Sequence, residues 1–224
     1  MGKHIDLGAT ALPAIGRDHA LTRTDLGRDT HLAKRGMVFD VEAGEAEGVG
    51  HYCVLRMRAF LGLMRMETLV IAPTRVDAPL LNLDWVGAFG TETLMAEFYD
   101  DQLTPLPAAC TEELERAHAA GADLPDAPAA EERWRSPILY PFSCRKRGRG
   151  LSGRFNGLAQ DYLASYLAVL SAAEPCDVCE KGEKVRDFAR RLLDEGGPAV
   201  DFVRKSFGND VAERLVMRHM YGVG

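Results

Sequence analysis

The chain has 224 residues, of which 46% are hydrophobic and 27% are charged, and its formal net charge is −6 at pH 7. This length and balance suit one globular domain with a sizeable core, and the acidic charge argues against general binding of nucleic acid. The sequence contains no run of about 18 apolar residues, which argues against a transmembrane helix, and we expect no membrane partner.

The first 50 residues are polar and rich in glycine, with only a small apolar island at Val38-Phe39. We expect them to form a loosely ordered N-terminal arm, with room for a short helix, in the same single domain as residues 51–224. The N-terminus lacks the apolar core of a signal peptide, and the five cysteines are odd in number. We therefore expect a cytoplasmic protein with reduced thiols.

Four successive segments show the period-two alternation that is typical of strands. They cover residues 51–60, 64–72, 81–89 and 93–100. The connections between them are short, and glycines indicate tight turns. The sequence therefore predicts an antiparallel meander.

The rest of the chain is predicted to be mainly helical. A short helix is predicted over 112–120 with Thr111 as its cap, and a further strand over 136–144. The helices predicted in the C-terminal third cover 155–172, 181–193, 198–207 and a last segment capped by Asn209. The predicted fold class is α/β, a three-layer α/β/α sandwich around a central antiparallel sheet from about residue 51 to 145.

Asp84 is a carboxylate in the most apolar of the predicted strands. Alternation puts Leu81 and Leu83 on one face of that strand, and Asn82 and Asp84 on the other. Burial raises the pKa of a carboxylate and makes it a usable proton donor near neutral pH. The pattern alone leaves open a solvent-facing Asp84 at the end of a strand.

Three segments of the sequence resemble the ferredoxin-dependent bilin reductases. They are residues 79–84 (PLLNLD) with the strand that starts near Gly90, the stretch from Trp134 to Arg145, and residues 195–208 (EGGPAVDFVRKSFG). The order and spacing of these segments extend the resemblance over residues 50–224.

This resemblance implies an oxidoreductase that reduces a linear tetrapyrrole, a bilin such as biliverdin, by sequential electron and proton transfers. It implies no bound cofactor or metal. Reduced ferredoxin would deliver the electrons through bilin radicals, and the substrate pocket would lie between the sheet and the C-terminal helices.

The resemblance also implies roles for individual residues. Asp84 would donate a proton to the bilin. Glu67 occupies the position, seventeen residues earlier, where phycocyanobilin-forming members have a catalytic histidine, so it would tune Asp84 or donate a proton itself. Arg145 resembles a propionate contact, and Arg56 and Arg58 are further candidates because arginine binds carboxylates bidentately. Ordinary surface charge is the alternative for all three arginines.

A basic run consists of Lys146, Arg147 and Arg149 on an otherwise acidic protein. Since ferredoxins are acidic, this run would steer their docking, with a plain solvated loop as the alternative. We expect the protein to be a monomer.

The sequence departs from the family at one position. Members that form phytochromobilin and phycoerythrobilin have a second Asp where this chain has Gly197. Asp194, Glu195 or Asp201 would have to replace that acid. The departure leaves open which ring is reduced, and an alternative function is a tetrapyrrole-binding protein without reductase activity.

Cys176 and Cys179 form a C-x-x-C motif between two predicted helices. A zinc site needs four ligands, and a second cysteine pair at suitable spacing is missing. Thioredoxin-like motifs follow a strand rather than a helix. A thiol redox protein that uses this pair is the third candidate function, and unpaired thiols are the alternative.

Overall fold

The computed structural model describes residues 5–128, 134–196 and 198–224. An eight-stranded antiparallel sheet forms the middle layer, with the strand order β1-β3-β4-β5-β6-β7-β8 and β2 paired with β3. Helices cover both sides of this sheet. The predicted three-layer α/β/α sandwich is confirmed. No helix in this described part of the chain has the length and apolar character needed to cross a membrane.

The elements follow the chain in a simple order. The strands are β1 (Leu21–Arg23), β2 (His31–Lys34), β3 (Met37–Ala46), β4 (Gly50–Ala59), β5 (Met64–Pro73), β6 (Leu80–Ala88), β7 (Thr91–Tyr99) and β8 (Cys144–Gly148). The helices are α1 (Leu7–Ile15), α2 (Ala108–Ala120), α3 (Ser152–Ala172), α4 (Val178–Asp194), α5 (Pro198–Phe207) and α6 (Asn209–Glu213), which continues as a π-helical turn over Arg214–Met220.

The sheet separates two apolar cores. On one side, which we call the α3 face, Leu83 and Trp85 of β6 pack in the same cluster as Phe155 of α3. On the other side, the α4 face, Leu80 belongs to the cluster that contains Phe188 of α4. Because successive strand residues point to opposite faces, β4 to β7 each contribute residues to both cores.

The prediction of a loosely ordered arm is wrong for most of the N-terminal segment. Residues 37–46 form β3, a central strand paired with β4 along its whole length, and β1 and β2 both pair with β3. Phe39 and Val41 of β3 are buried, whereas Asp40 and Glu42 alternate with them on the other face. The charged residues and glycines in this segment masked its period-two pattern.

The strand predicted over 136–144 is also wrong. A 3₁₀ turn covers Ser136–Ile138, and the strand starts only at Cys144, so that the basic run itself forms β8. Between the prolines, Leu139 forms only an isolated bridge with Tyr99. Pro137 and Pro141 lack the backbone N–H that a sheet ladder needs, which explains why a continuous strand forms only after them.

Two predicted helix caps are displaced. Helix α2 begins after Pro107 rather than after Thr111, whose hydroxyl donates a hydrogen bond to the Pro107 carbonyl at 3.4 Å. Gly208 rather than Asn209 precedes α6. The four strands of the predicted meander and the helices α3, α4 and α5 are confirmed within a few residues.

Candidate active site

Asp84 lies near the middle of β6 on the α4 face, directly opposite Thr68 of β5. The Thr68 hydroxyl donates a hydrogen bond to Oδ1 of Asp84. Thr68 is buried, and Asp84 keeps a partly accessible surface. A carboxyl group is therefore held in a fixed position at the boundary between the core and the accessible part of this face.

The surroundings of Asp84 favour its protonated form. Although part of the residue is accessible, burial is the largest cause that raises the pKa of Asp84 to about 7. The Thr68 hydrogen bond lowers this pKa, the nearby Glu97 carboxylate raises it, and Arg135 and Arg145 lower it. Asp84 can therefore both hold and release a proton near neutral pH.

The α4 face is accessible from Asp84 toward one end of the sheet. Met66 of β5, Val86 of β6 and Met95 of β7 are partly exposed there, whereas their neighbours on the α3 face, such as Leu94, are buried. Asp84 thus lies at the inner edge of a row of partly exposed apolar side chains on this face.

A second charged cluster lies beside Asp84 on the same face. Glu97 of β7 is buried, and Tyr99 donates a hydrogen bond to its Oε2 atom at 2.7 Å. Arg145 of β8 donates to Oε1 at 3.2 Å, and Arg135 donates to the Tyr99 hydroxyl at 3.0 Å and contacts Glu97 Oε2 at 3.4 Å. Two arginines and one buried carboxylate therefore border the accessible surface.

Tyr221, near the C-terminus of the chain, borders the site beside Asn82. Its hydroxyl accepts a hydrogen bond from Nδ2 of Asn82 at 3.0 Å, and the residue is fully buried. Burial raises the pKa of the Tyr221 phenol well above its usual range, with a further increase from the Asp84 carboxylate. Tyr221 therefore stays neutral and fixes Asn82, which precedes Asp84 by two residues on the same face.

Glu67 does not lie beside Asp84, which corrects its expected position. It points to the α3 face, where it is fully buried and accepts hydrogen bonds from the Leu7 backbone N–H and, at 3.0 Å, from Arg56 Nε. Burial and the Asp6 carboxylate raise the pKa of Glu67 to about 7. This carboxyl group holds helix α1 on the sheet and has no access to a ligand bound at Asp84.

Arg56 and Arg58 also point away from Asp84. Both alternate onto the same side of β4 as Val54, which belongs to the core of the α3 face. Arg56 pairs with Glu67, and Arg58 is largely exposed and pairs with Asp40 at 3.1 Å. Among the three arginines expected to bind substrate, only Arg145 shares a face with Asp84.

The basic run is divided by the alternation of β8. Lys146 is buried on the α3 face, where it donates to Asp126 at 2.6 Å and to the Leu124 carbonyl at 3.3 Å. Its inclusion in an exposed docking surface is therefore wrong. Arg147 and Arg149 are exposed.

The acids named as replacements for the second Asp lie in two places. Asp194 and Glu195 are exposed at the end of α4, and Asp201 pairs with Arg204 one turn later in α5 at 3.3 Å. Gly197 itself lies outside the described residues. Glu97 is a second carboxylate on the Asp84 face that the sequence pattern did not predict. The only signal for it in the sequence is a carboxylate two residues before Tyr99 in an apolar strand.

The two cysteines of the C-x-x-C motif are free thiols. Burial raises the pKa of the Cys176 thiol, which disfavours the reactive thiolate form. Within residues 5–128, 134–196 and 198–224, no group of three or more His, Cys, Asp and Glu side chains is arranged to bind a metal ion.

Comparisons with known proteins bear on the fold. Neither a protein-family description nor a curated protein matches the sequence. Among solved structures, the chain is similar to phytochromobilin synthase from tomato, crystallised in complex with biliverdin, with a TM-score of 0.75 and 13% sequence identity. The similarity covers 95% of this chain and 80% of the tomato chain. The resemblance to the bilin reductases that the sequence indicates is thereby confirmed in the fold, which this chain shares with a biliverdin-binding synthase.

Proposed function

We propose that this protein is an oxidoreductase that reduces a linear tetrapyrrole of the biliverdin type. The observation that supports it most directly is the carboxyl group of Asp84, with a pKa of about 7, on a partly accessible apolar surface of the sheet. The similarity of the whole fold to phytochromobilin synthase supports the choice of substrate class.

The bilin would lie on the α4 face, over Met66, Val86 and Met95. Its planar conjugated system would contact these apolar side chains, and its propionates would reach the bordering cations. Arg145 is the better candidate for a propionate, because its side chain is 24% exposed whereas that of Arg135 is 13% exposed. Its guanidinium would then be shared between the substrate carboxylate and Glu97. Arg135 would continue to stabilise the buried Glu97 carboxylate while the substrate is bound.

The reaction would add electrons and protons in alternation. One electron reduces the bilin to a radical anion, which is more basic than the starting bilin. The protonated carboxyl group of Asp84 then transfers its proton to the bilin, and the carboxylate that remains regains a proton from solvent through the accessible side. A second electron and a second proton complete the reduction of one double bond.

The chain's own residues would provide the proton and the orientation of the substrate. The Thr68 hydroxyl would stabilise the carboxylate that forms after proton transfer. The electrons would come from reduced ferredoxin, and the exposed Arg147 and Arg149 are suited by charge to dock an acidic donor.

An absorbance titration tests this proposal. Biliverdin is added to the protein first alone and then with reduced ferredoxin. A shifted bilin spectrum followed by conversion to a reduced product is expected. Binding without conversion would favour a tetrapyrrole-binding protein instead, and an unchanged spectrum in both steps would overturn the proposal.

A further inference from the structure

Three hairpin turns lie side by side at one end of the sheet. They cover residues 34–37 between β2 and β3, 59–64 between β4 and β5, and 88–91 between β6 and β7. The strand residues next to these turns are paired in one continuous row across the sheet: Val38 with Arg58, Arg58 with Arg65, and Arg65 with Gly87. Since neighbouring strands are about 4.8 Å apart, this row from β3 to β6 spans about 14 Å.

Two of these turns expose large apolar side chains. Phe60 is 56% exposed, Leu61 104%, Leu63 60% and Phe89 64%. They are four of the five exposed large hydrophobic residues in the described part of the chain. The rings of Phe60 and Phe89 contact each other across the two turns, with centroids 5.8 Å apart. We call Phe60, Leu61, Leu63 and Phe89 the apolar tip.

The turn geometry does not favour these residues. Phe60, Leu61 and Phe89 have φ values of +52°, +54° and +50°, in the left-handed region that bulky side chains rarely adopt. Tight hairpin turns prefer Asn-Gly or Gly-Gly at such positions, and here glycine follows as Gly62 and Gly90. Folding alone therefore does not explain the bulky apolar residues, and strained positions of this kind are associated with function.

The apolar tip is bordered by positive charge. Lys34 and Arg35 are exposed in the first turn, and Arg65 follows the second. None of the residues 34–37, 59–64 and 88–91 is acidic. The carboxylates that next follow the three turns along the chain are engaged. Asp40 pairs with Arg58 at 3.1 Å, Glu67 is buried, and Glu92 is buried and accepts hydrogen bonds from the Leu151 N–H and the Ser152 hydroxyl. This end of an acidic protein is therefore locally cationic.

We propose that the apolar tip inserts into the surface of an anionic lipid membrane, with Lys34, Arg35 and Arg65 at the lipid headgroups. Apolar side chains flanked by lysine and arginine are the pattern that binds at such an interface. The shape favours lipid over a protein partner, because Leu61 protrudes with its whole surface accessible. A fluid bilayer surrounds a protruding side chain, whereas a flat protein surface would cover little of it.

Vesicle flotation tests this inference on the intact chain. Wild-type protein should float with vesicles of phosphatidylcholine and phosphatidylglycerol, and much less with phosphatidylcholine alone. The triple variant Phe60→Asn, Leu61→Asn, Phe89→Asn should reduce partitioning at least tenfold. Because asparagine accepts positive φ, the variant should fold at least as stably as the wild type, which thermal unfolding checks.

Charge variants and matched controls complete the test. Lys34→Gln and Arg35→Gln should each weaken partitioning about fivefold, since each cation near an anionic surface contributes about that factor. Val178→Ser replaces the fifth exposed hydrophobic residue, and Arg190→Gln removes an exposed cation elsewhere. Neither control should change flotation.

Results from three measurements (flotation, light scattering and turnover) would overturn the proposal. One is equal flotation of the triple variant and the wild type, or no flotation with anionic vesicles. Another is a wild-type dimer in light scattering that the triple variant dissociates, which would assign the tip to a second copy of the chain. The third is slower bilin turnover by the triple variant with reduced ferredoxin in the absence of lipid, which would assign the tip to the bilin site or to the docking of ferredoxin.

Discussion

Glu67 and Asp84 lie on adjacent strands but point to opposite faces of the sheet. Thr68 is the residue paired with Asp84, and Glu67 is paired with Trp85 of the opposite core. Burial is the main cause that raises the pKa of each carboxyl group to about 7. The accessible carboxyl group is available to a substrate, whereas the enclosed one holds helix α1 and Arg56.

Asp84→Asn should separate binding from proton transfer. The amide keeps the size of the carboxyl group but cannot donate the same proton, so bilin should still bind and accept one electron. Loss of a general acid typically slows a reaction about 10² to 10⁴-fold. Stopped-flow absorbance and electron spin resonance should detect a bilin radical that accumulates. A variant that turns over at the wild-type rate would refute the role of Asp84.

Turnover should depend on pH through Asp84. Its pKa is raised from 3.8 to about 7, so the proton-donating form is the main one below neutral pH and is lost as the pH rises. We expect kcat/KM to fall about tenfold for each pH unit above 7. The pH profile is measured under excess reduced ferredoxin, and bilin binding serves as the control. A rate that does not change between about pH 6 and pH 9 would contradict this assignment.

Glu67→Gln should change the pH dependence of stability rather than catalysis. The pKa of Glu67 is raised from 4.5 to about 7 in the folded protein, so between these values the folded state binds more protons than the unfolded state. The free energy of unfolding therefore falls as the pH rises through this window, by about 3 kcal/mol over its full width.

The glutamine variant lacks this titration and should lose less stability than the wild type between about pH 5 and pH 8, as measured by urea unfolding. Its rate of bilin reduction should equal that of the wild type. A large loss of turnover would restore Glu67 to a catalytic role.

Arg145→Gln should weaken binding of a bilin with free propionates. A charge-assisted contact of this kind is worth about 1.5–3 kcal/mol, so the affinity should fall at least tenfold. The affinity for the bilin dimethyl ester, which lacks these charges, should change little. Arg58→Gln, on the other side of the sheet, is the matched control, and equal affinities for both ligands in the wild type would exclude a propionate contact.

Arg147→Glu with Arg149→Glu should slow electron delivery from ferredoxin and leave bilin binding intact. Turnover of the wild type should also fall with salt, as the Debye length shrinks from about 10 to 3 Å. Arg190→Glu provides a control for added negative charge at an exposed site on helix α4. Turnover that does not depend on salt would mean that these two arginines are solvated surface residues without a role in docking.

Replacing Cys176 and Cys179 together with serine tests the remaining thiol hypothesis. Because burial raises the pKa of Cys176, we expect bilin reduction by the double variant to equal that of the wild type. Metal analysis of the wild type should give less than one zinc per chain. Loss of activity in the double variant would support thiol chemistry.

Local patterns in the sequence determined much of this protein. Period-two alternation predicted β4 to β7 and the face that Asp84 shares with Asn82, and apolar helical spacing predicted α3 and α4. Such patterns are sufficient to predict individual strands and helices, because each pattern depends only on whether a residue faces a core.

Only the tertiary structure decided which side chains meet. Glu97, Arg135 and Arg145 come from separate segments and assemble through the pairing of β7 with β8 and the return of the chain after α2. The sequence predicts Glu67 beside Asp84 only from their separation along the chain. The residues between them include parts of two strands and the turn that joins these strands. A shift of one residue in strand register moves a side chain to the opposite face, and register is set by pairing across the sheet rather than by local sequence.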